Sequence, residues 1–267
     1  MLTLLTGASR GLGVRLAEDL ARDGGTLILV ARDAEGLAAT AAKVAAAGAT
    51  PICVTADLAD PEGVDRVAAA VLAQGVPDRV VLNAGIEITV GVLDQSADDI
   101  ARQIALNLAS PLRLTRALLP AMVAAGRGAV VAISSMSGKS PTPYNAVYTA
   151  TKHGLNGFYA SLRIELWGTG VHCGVVCPSF VADTGMWSDT GVKAPPLMRE
   201  VTPAAVVAAV RAVLGGAPEV LVTPTPVRPL LALGQLFPRL DGAMLRTIGV
   251  LDALRERARV TAARRSG

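Results

Sequence analysis

Tyr148 and Lys152 are the two side chains whose types and spacing best suit proton transfer. On a helix, residues i and i+4 lie on one face, so a phenol and an ammonium can act on the same point. A free tyrosine has a pKa near 10 and is a poor acid or base at neutral pH, but a neighbouring cation favours the phenolate. The pair therefore predicts a proton-transfer device in which Lys152 lowers the pKa of Tyr148.

A glycine-rich turn near the N-terminus suggests what the proton accompanies. Gly7, Gly11 and Gly13 lie between a short apolar strand and a helix, with the spacing G-x-x-x-G-x-G. Glycines allow a tight turn and close approach of the backbone to a pyrophosphate, and the helix N-terminus supplies N–H donors for the anion. The spacing differs from the common G-x-G-x-x-G fingerprint. The position directly after a buried strand nevertheless predicts a nucleotide site.

The charge near the second strand favours NADP(H) over NAD(H). NAD sites often place a carboxylate after this strand to bind the ribose 2′-hydroxyl. Here the strand runs into Ala31 and Arg32, Asp33 comes only afterwards, and Arg10 lies within the glycine turn. Two guanidinium groups suit a 2′-phosphate, because arginine forms fork-like bonds to phosphate oxygens. The alternatives are that Arg32 is a solvated loop residue and that NAD(H) is the cofactor.

Apolar strands alternate with helical segments along most of the chain. Two long helices are predicted over residues 97–125 and 146–167, and strands over 2–5, 26–30, 51–55, 79–82, 129–134 and 171–177. Continuously apolar strands that alternate with helices are typical of a parallel sheet covered on both faces. The sequence therefore predicts an α/β fold.

Together these motifs resemble the one-domain branch of the short-chain dehydrogenase/reductase family, over residues 2–222. The resemblance is carried, in chain order, by the glycine pattern in Thr6–Gly13, Asp57 after the third strand, Asn83-Ala84-Gly85 after the fourth, Asn107, Ser135 thirteen positions before Tyr148, and Tyr-x-x-x-Lys at Tyr148 to Lys152. It implies a Rossmann-type doubly wound fold with a seven-stranded parallel sheet and helices on both faces. It also implies a homodimer or homotetramer formed through the two long helices.

The resemblance implies hydride transfer between a nicotinamide and a carbonyl or secondary alcohol. Tyr148 would be the acid in reduction and the base in oxidation, and Ser135 would hydrogen-bond the substrate oxygen. Lys152 would also bind the nicotinamide ribose, and Asn107 would hold a water that links Lys152 to solvent. The implied cofactor-binding residues are Gly7, Ser9, Arg10, Gly11, Leu12, Gly13, Arg32, Asp57, Leu58, Asn83, Ala84, Gly85, Tyr148, Lys152, Pro178 and Val181.

The chain departs from the family pattern after the sixth strand. Pro178-Ser179 replaces the usual Pro-Gly, and the threonine that often follows is displaced by one residue to Thr184. Serine adopts positive φ at a higher energetic cost than glycine, so this loop is the part of the nicotinamide site that follows the family pattern least.

The alternative functions are an NAD-preferring alcohol dehydrogenase and a nucleotide-binding regulatory protein without turnover.

Two segments lie outside the regular strand–helix alternation of the 1–223 domain. Residues 183–200 mix glycine and proline, including Pro196, with methionine and tryptophan, which favours a flap over a substrate pocket. Residues 224–267 form an extension, and from residue 228 it has eight arginines and three acids, a balance of +5. It has a helical apolar stripe of Leu233, Leu236, Leu240, Met244, Ile248, Leu251 and Leu254.

We expect the extension to dock on the protein body, over a partner subunit or the substrate pocket. Contact with an anionic membrane is the less favoured alternative, and a solvated basic end is the third. A lipophilic substrate would suit the apolar side chains of the flap and the extension.

Bulk properties exclude several classes of protein. At 267 residues, 51% hydrophobic and 18% charged, the chain is long enough for one large domain and is not typical of disorder. Three cysteines and two histidines without paired spacing argue against disulfide or metal frameworks. Basic residues are not interleaved with aromatics, so nucleic-acid binding is not expected. With a strand at residue 2 and no span long enough for a bilayer, we expect a cytoplasmic location.

Overall fold

The computed structural model describes residues 1–195 and 198–266, and a seven-stranded parallel sheet forms its centre. The strand order is β3-β2-β1-β4-β5-β6-β7, which confirms the predicted doubly wound α/β fold. The six strands predicted individually differ from the observed ones by no more than one residue at either end. The strands are β1 Leu2–Thr6, β2 Thr26–Ala31, β3 Thr50–Thr55, β4 Arg79–Leu82, β5 Gly128–Ile133, β6 Val171–Pro178 and β7 Glu219–Val222.

The strand order reverses between β1 and β4, which creates the crevice where such sheets bind ligands. Thr6 and Leu82 are paired in register at the carboxyl ends of these two strands. The residues that follow them, Gly7 and Asn83, therefore lie side by side at the opening. The fold thus brings together the glycine turn and the Asn-Ala-Gly segment, which are far apart in sequence.

Helices cover both faces of the sheet because alternate strand residues point to opposite sides. Leu4 packs in one core cluster, against helices that follow β3, β4 and β5, whereas Leu5 packs in the other. The helices of the domain are α1 Leu12–Ala21, α2 Ala34–Ala46, α3 Pro61–Gln74, α4 Ala97–Ile104, α5 Ser110–Ala124, α6 Ala146–Glu165, α7 Gly185–Ser188 and α8 Pro203–Leu214.

The helix predicted over 97–125 is not regular throughout. A π-helical turn, Ala105–Ala109, separates α4 from α5. Within this turn Asn107 is buried, and its side chain exchanges two hydrogen bonds with the backbone of Ile86. The extra residue in the turn lets the amide reach the loop after β4, and π turns are frequent at functional sites. Hydrophobic periodicity gives no sign of such a local insertion.

The C-terminal extension forms three helices, α9 Arg228–Leu236, α10 Asp241–Thr247 and α11 Val250–Ser266. The predicted apolar stripe does not dock as one surface. Leu254 is buried with Val250 against Trp187, and Ile248 packs beside them. Leu233 and Leu236, on α9, and Leu240, in the turn that follows it, are instead exposed.

Some predicted features fall outside what the structure describes. They are Pro196 of the 183–200 segment and the side chain of Met244 in the stripe. In the described part of the chain, no helix is both long enough and apolar enough to cross a membrane.

Candidate active site

A cavity of about 1170 Å³ opens at the carboxyl ends of the strands. Its walls come from the glycine turn, the loops after β4, β5 and β6, the 183–200 segment and the extension. Every residue predicted for the site lines this cavity except Asn107, which lies behind Gly85. The fold therefore gathers nearly all of the predicted set at one place.

The glycine turn has the shape of a phosphate-binding cradle. Gly7 and Gly11 adopt φ of +67° and +59°, which side chains rarely adopt. A Cβ on Gly13 would overlap the carbonyl oxygen of Gly7, and one on Gly7 would lie 2.9 Å from the Cα of Ala84. Helix α1 starts at Leu12 with no side chain capping its N-terminus. These N–H donors and the space left by the glycines fit a bound pyrophosphate.

Thr6 and Asn83 tie the two loops of the crevice together. The Oγ1 of Thr6 accepts hydrogen bonds from the backbone N–H groups of Asn83 (3.0 Å) and Ala84 (3.1 Å). The Asn83 side chain donates to the carbonyls of Thr6 (3.2 Å) and Gly7 (3.1 Å). The Asn83 amide thus fixes the shape of the cradle by holding the carbonyl groups at the start of the glycine turn. This positioning role was not evident from the sequence, although a polar residue directly after a buried strand is a signal for it.

Asp57 is held by two arginines at the edge of the cavity. Its carboxylate accepts hydrogen bonds from the backbone N–H of Ala59 (2.9 Å) and from Arg102 (2.8 Å), and Arg32 lies 3.5 Å away. Burial opposes ionisation, but these hydrogen bonds and the two positive charges lower the pKa of Asp57. Arg102, on α4, has no motif that marks it in the sequence. It adds a third guanidinium to the region of Arg10 and Arg32.

Tyr148, Lys152 and Ser135 meet in the deepest part of the cavity. Tyr148 is 8% exposed and Lys152 is 4% exposed. The ammonium of Lys152 donates a hydrogen bond to the carbonyl of Ile133 (2.8 Å) and lies 5.4 Å from the centre of the Tyr148 ring. Ser135 follows β5, and its hydroxyl lies beside Tyr148, where it favours the ionised phenol and lowers its pKa. The three groups are therefore close enough to act on one ligand atom.

The protonation of the pair differs from the sequence prediction. Burial raises the pKa of Tyr148 above its ordinary value, and the negative charge of Glu87 adds to the rise. The neighbouring Ser135 hydroxyl and the charge of Arg257 act in the opposite direction, towards a lower pKa, but their effects are weaker. The prediction that the pKa of Tyr148 is lowered is therefore wrong in this structure. Burial also lowers the pKa of Lys152, to about 8.

The depressed Lys152 pKa predicts a pH dependence of stability. Its ordinary pKa is 10.5, so between that value and about 8 the unfolded chain binds more protons than the folded one. The contribution of Lys152 to the free energy of unfolding therefore rises as the pH rises from about 8 to 10.5. Below pH 8 the folded protein carries the buried charge, and the destabilisation is complete. Relative to Lys152→Met, the wild-type free energy of unfolding is expected to rise by about 2 kcal/mol between pH 8 and pH 10.

Urea denaturation of both proteins at the two pH values measures this difference. Because Lys152→Met removes only one titrating group, most of the titration of the tyrosines and cysteines cancels in the comparison; Cys177, whose pKa the Lys152 charge lowers, is the exception. A constant gap between the two proteins would show that Lys152 keeps an ordinary pKa in the fold.

Glu87 and Arg257 form a buried ion pair beside the site, which sequence analysis missed. Arg257, on α11, binds both carboxylate oxygens of Glu87 at 2.6 and 2.8 Å, and both side chains are at most 10% exposed. Asn145 donates to the same carboxylate (2.8 Å). Arg257 also donates to the carbonyl of Met186 (2.8 Å) and lies 5.2 Å from the Trp187 ring. The extension is thus fastened to the loop after β4 and to the 183–200 segment.

The loop after β6 accommodates its departures from the family pattern. In the described part of the chain, positive φ outside glycine occurs only at Tyr144 and Asp183, so Ser179 is not strained. The N–H of Ser179 donates to the carbonyl of Val222 (2.9 Å), which fixes the loop to β7. The Oγ1 of Thr184 lies near the glycine turn, 3.3 Å from where a Cβ of Gly11 would be.

Cysteine residues form no metal site in the structure as described. Cys173 and Cys177 are buried free thiols, and Cys53 is an exposed free thiol. Within residues 1–195 and 198–266, no three His, Cys, Asp or Glu side chains are grouped so as to hold a metal ion.

The chain is similar in sequence to a family model and to known proteins. The family model described as short chain dehydrogenase matches residues 2–194. The ketoacyl reductase HetN of Nostoc sp. is 40% identical over 262 residues, which are 96% of this chain and 91% of that protein. The bovine (Bos taurus) dehydrogenase/reductase SDR family member 7B is 36% identical over 185 residues. That match covers 67% of this chain but only 57% of the bovine protein.

Solved structures show the same fold. A metagenomic short-chain oxidoreductase in complex with NADP superposes with a TM-score of 0.72 at 34% identity, covering 85% of this chain and 97% of that one. The alcohol dehydrogenase of the archaeon Thermococcus sibiricus, complexed with 5-hydroxy-NADP, gives 0.73 at 27% identity, covering 83% and 95%.

Proposed function

This chain belongs to the short-chain dehydrogenase family of oxidoreductases, and we propose that it transfers a hydride between NADP(H) and a carbonyl or secondary alcohol of a lipophilic molecule. The observation that supports this best is the position of Tyr148, Lys152 and Ser135. All three line the same cavity as the glycine turn. A proton donor and a nucleotide cradle in one cavity are what a coupled hydride and proton transfer needs.

Tyr148 supplies the proton in this proposal. Because its pKa is raised, the phenol is protonated at neutral pH and is ready to act as the acid in reduction. Ser135 donates a hydrogen bond to the same substrate oxygen and stabilises the negative charge that develops there. Lys152, with a pKa of about 8, remains mostly protonated at neutral pH and favours the phenolate left behind. Asn107 would hold the water that returns a proton from solvent.

The nucleotide would be held by residues from both sides of the crevice. The bound nicotinamide supplies the hydride chemistry, and the chain supplies its placement. We assign the pyrophosphate to the glycine turn and the 2′-phosphate to Arg10 and Arg32. The adenine is assigned to Asp57 and Leu58. The nicotinamide end is assigned to Asn83-Ala84-Gly85, Pro178 and Val181. The relatives solved with NADP and 5-hydroxy-NADP support this choice of cofactor.

The 2′-phosphate assignment predicts a change in cofactor preference. The double variant Arg10→Ala/Arg32→Ala is expected to bind NADPH about ten-fold more weakly, because it loses charge-assisted hydrogen bonds to the phosphate. Its affinity for NADH should stay the same. Fluorescence titration with both nucleotides measures this, with Arg66→Ala on α3 as an exposed control. Equal losses for NADPH and NADH would contradict the assignment and favour an NAD-preferring enzyme.

The proposal of a lipophilic substrate rests on the outer wall of the cavity. Apolar side chains on this wall come from the loop after β6, the 183–200 segment and the extension; they are Phe180, Trp187, Met198, Leu231, Leu245 and Ile248. We propose that both segments cover the substrate. Reduction of aliphatic ketones of increasing chain length, followed by the loss of NADPH absorbance, tests the function. KM should fall as the chain lengthens. Tight nucleotide binding with no turnover of any carbonyl would favour the regulatory alternative.

We also propose that the protein forms a homodimer or homotetramer through its long helices. Ile164, near the end of α6, is 70% exposed, and Trp167, just beyond that helix, is 87% exposed. Large apolar side chains this exposed are typical of an interface.

A further inference from the structure

The extension presents a patch of exposed apolar side chains, which we call the apolar rim. Leu236 is 73% exposed and Phe237 is 56% exposed. The other three side chains of the patch are 38% to 42% exposed. The spacing of three to four residues puts most of them on one face of α9. Soluble monomers seldom expose contiguous patches of this kind without a binding role. The rim consists of Leu230, Leu233, Leu236, Phe237 and Leu240.

The rim is exposed although the rest of the extension is packed against the protein body. Helix α11 is fixed by the buried Arg257–Glu87 pair and by Leu254, which is 1% exposed. Helix α9 is preceded by Val227, which is buried, and Gly234, on the side of α9 away from Leu236, is also buried. The helix therefore rests on the protein on one side and turns its leucines outward on the other.

The rim is continuous with the wall of the cavity. Leu230 is 38% exposed and also lines the cavity, and Leu231, Gly234 and Pro238 line it from the same segment. Helix α9 thus borders the cavity, and Leu230 belongs both to the cavity wall and to the exposed rim. A ligand in contact with the rim would be one helix away from the substrate space.

Arginines flank the rim in sequence, and one of them, Arg228, lies 3.3 Å from the carboxylate of Glu219. Arg228, Arg239 and Arg246 are exposed, and the span from 228 to 246 contains one acidic residue, Asp241. Its balance is therefore three positive charges against one negative charge, or +2. A short helix that has exposed leucine and phenylalanine with flanking arginines is typical of segments that lie flat in a membrane interface.

We propose that the apolar rim docks on the surface of an anionic lipid bilayer, with α9 in the headgroup region. A second copy of the chain is a poorer occupant, because a stable dimer buries roughly 20 to 30 residues on each side and the rim offers five large side chains. The exposed Ile164 and Trp167 already provide a different surface for self-association. The inference goes beyond the proposed function, since docking would occur whether or not a carbonyl is reduced.

Co-sedimentation with vesicles tests the proposal on the full-length protein. Vesicles of equal phosphatidylglycerol and phosphatidylcholine should bind the protein, and vesicles of phosphatidylcholine alone should bind it at least about ten-fold more weakly. The variant Leu236→Ser/Phe237→Ser should lose about ten-fold in affinity for the anionic vesicles, because two large apolar groups no longer enter the interface. Both residues are exposed, so the fold should persist.

The chain offers a matched control on another surface. Val92 and Leu93 are adjacent, apolar and 59% and 96% exposed, and they do not line the cavity. Val92→Ser/Leu93→Ser should leave vesicle binding unchanged. The proposal is overturned if wild-type protein fails to bind anionic vesicles, or if both double variants bind as the wild type does. It is also overturned if the rim variant only reduces the oligomeric mass in gel filtration, which would assign the rim to a second copy.

Discussion

Replacing Tyr148 with phenylalanine is expected to lower kcat for carbonyl reduction by about 10³-fold, the usual size of a general-acid contribution. The ring stays, so the packing around this buried side chain is preserved, and only the phenolic hydroxyl with its proton is lost. The affinity for NADPH should change by no more than about two-fold, because the phosphates are bound elsewhere. Single-turnover kinetics and nucleotide titration measure the two quantities.

Tyr159 provides the control for this substitution. It lies on the same helix, is 1% exposed, and burial raises its pKa as it does for Tyr148. Its hydroxyl hydrogen-bonds Thr115 (2.8 Å) in the core, and it does not line the cavity. Tyr159→Phe should therefore cost about 1 kcal/mol of stability and leave kcat unchanged. Full activity in Tyr148→Phe would end the assignment of Tyr148 as the acid.

The parts of the site that the sequence predicted correctly are those set by local pattern. Gly7 and Gly11 follow a buried strand, and the need for positive φ and close approach selects glycine at such positions. Apolar runs placed the ends of six of the seven strands to within a residue, because continuously apolar strands mark a parallel sheet that is covered on both faces. Tyr148 and Lys152 lie one helical turn apart, so their convergence follows from helix geometry alone.

The features that the sequence did not predict depend on contacts between distant segments. Arg102 reaches Asp57 across 45 residues, and Arg257 reaches Glu87 across 170. Arginines on helices are usually solvated, so nothing in the pattern separates these two from the others. The direction of the Tyr148 pKa was wrong for a related reason. The sequence shows the neighbouring cation, but burial, which has the larger effect, is a property of the fold.

The Glu87–Arg257 pair predicts that the extension is required for the stability of the whole domain. Arg257→Gln is expected to lower the free energy of unfolding by about 3–5 kcal/mol, because it leaves the buried carboxylate of Glu87 without its cation. Asn145 would still donate one hydrogen bond to that carboxylate, which is too little to replace a bidentate guanidinium. Urea denaturation, followed by circular dichroism, measures the loss.

The double variant Glu87→Gln/Arg257→Gln separates the ion pair from the general packing of α11. With both charges removed, no buried ion is left unpaired. The double variant should therefore lose clearly less free energy of unfolding than the sum of the losses in the two single variants.

Arg259→Gln is the surface control, since Arg259 is 73% exposed and its partner Glu256 is 56% exposed. It should change stability by no more than about 0.5 kcal/mol. If Arg257→Gln were as mild as Arg259→Gln, the buried pair would not be what fastens the extension. Because Arg257 also contacts Met186 and Trp187, a large loss would mean that the outer wall of the cavity and the fold are held by the same residue.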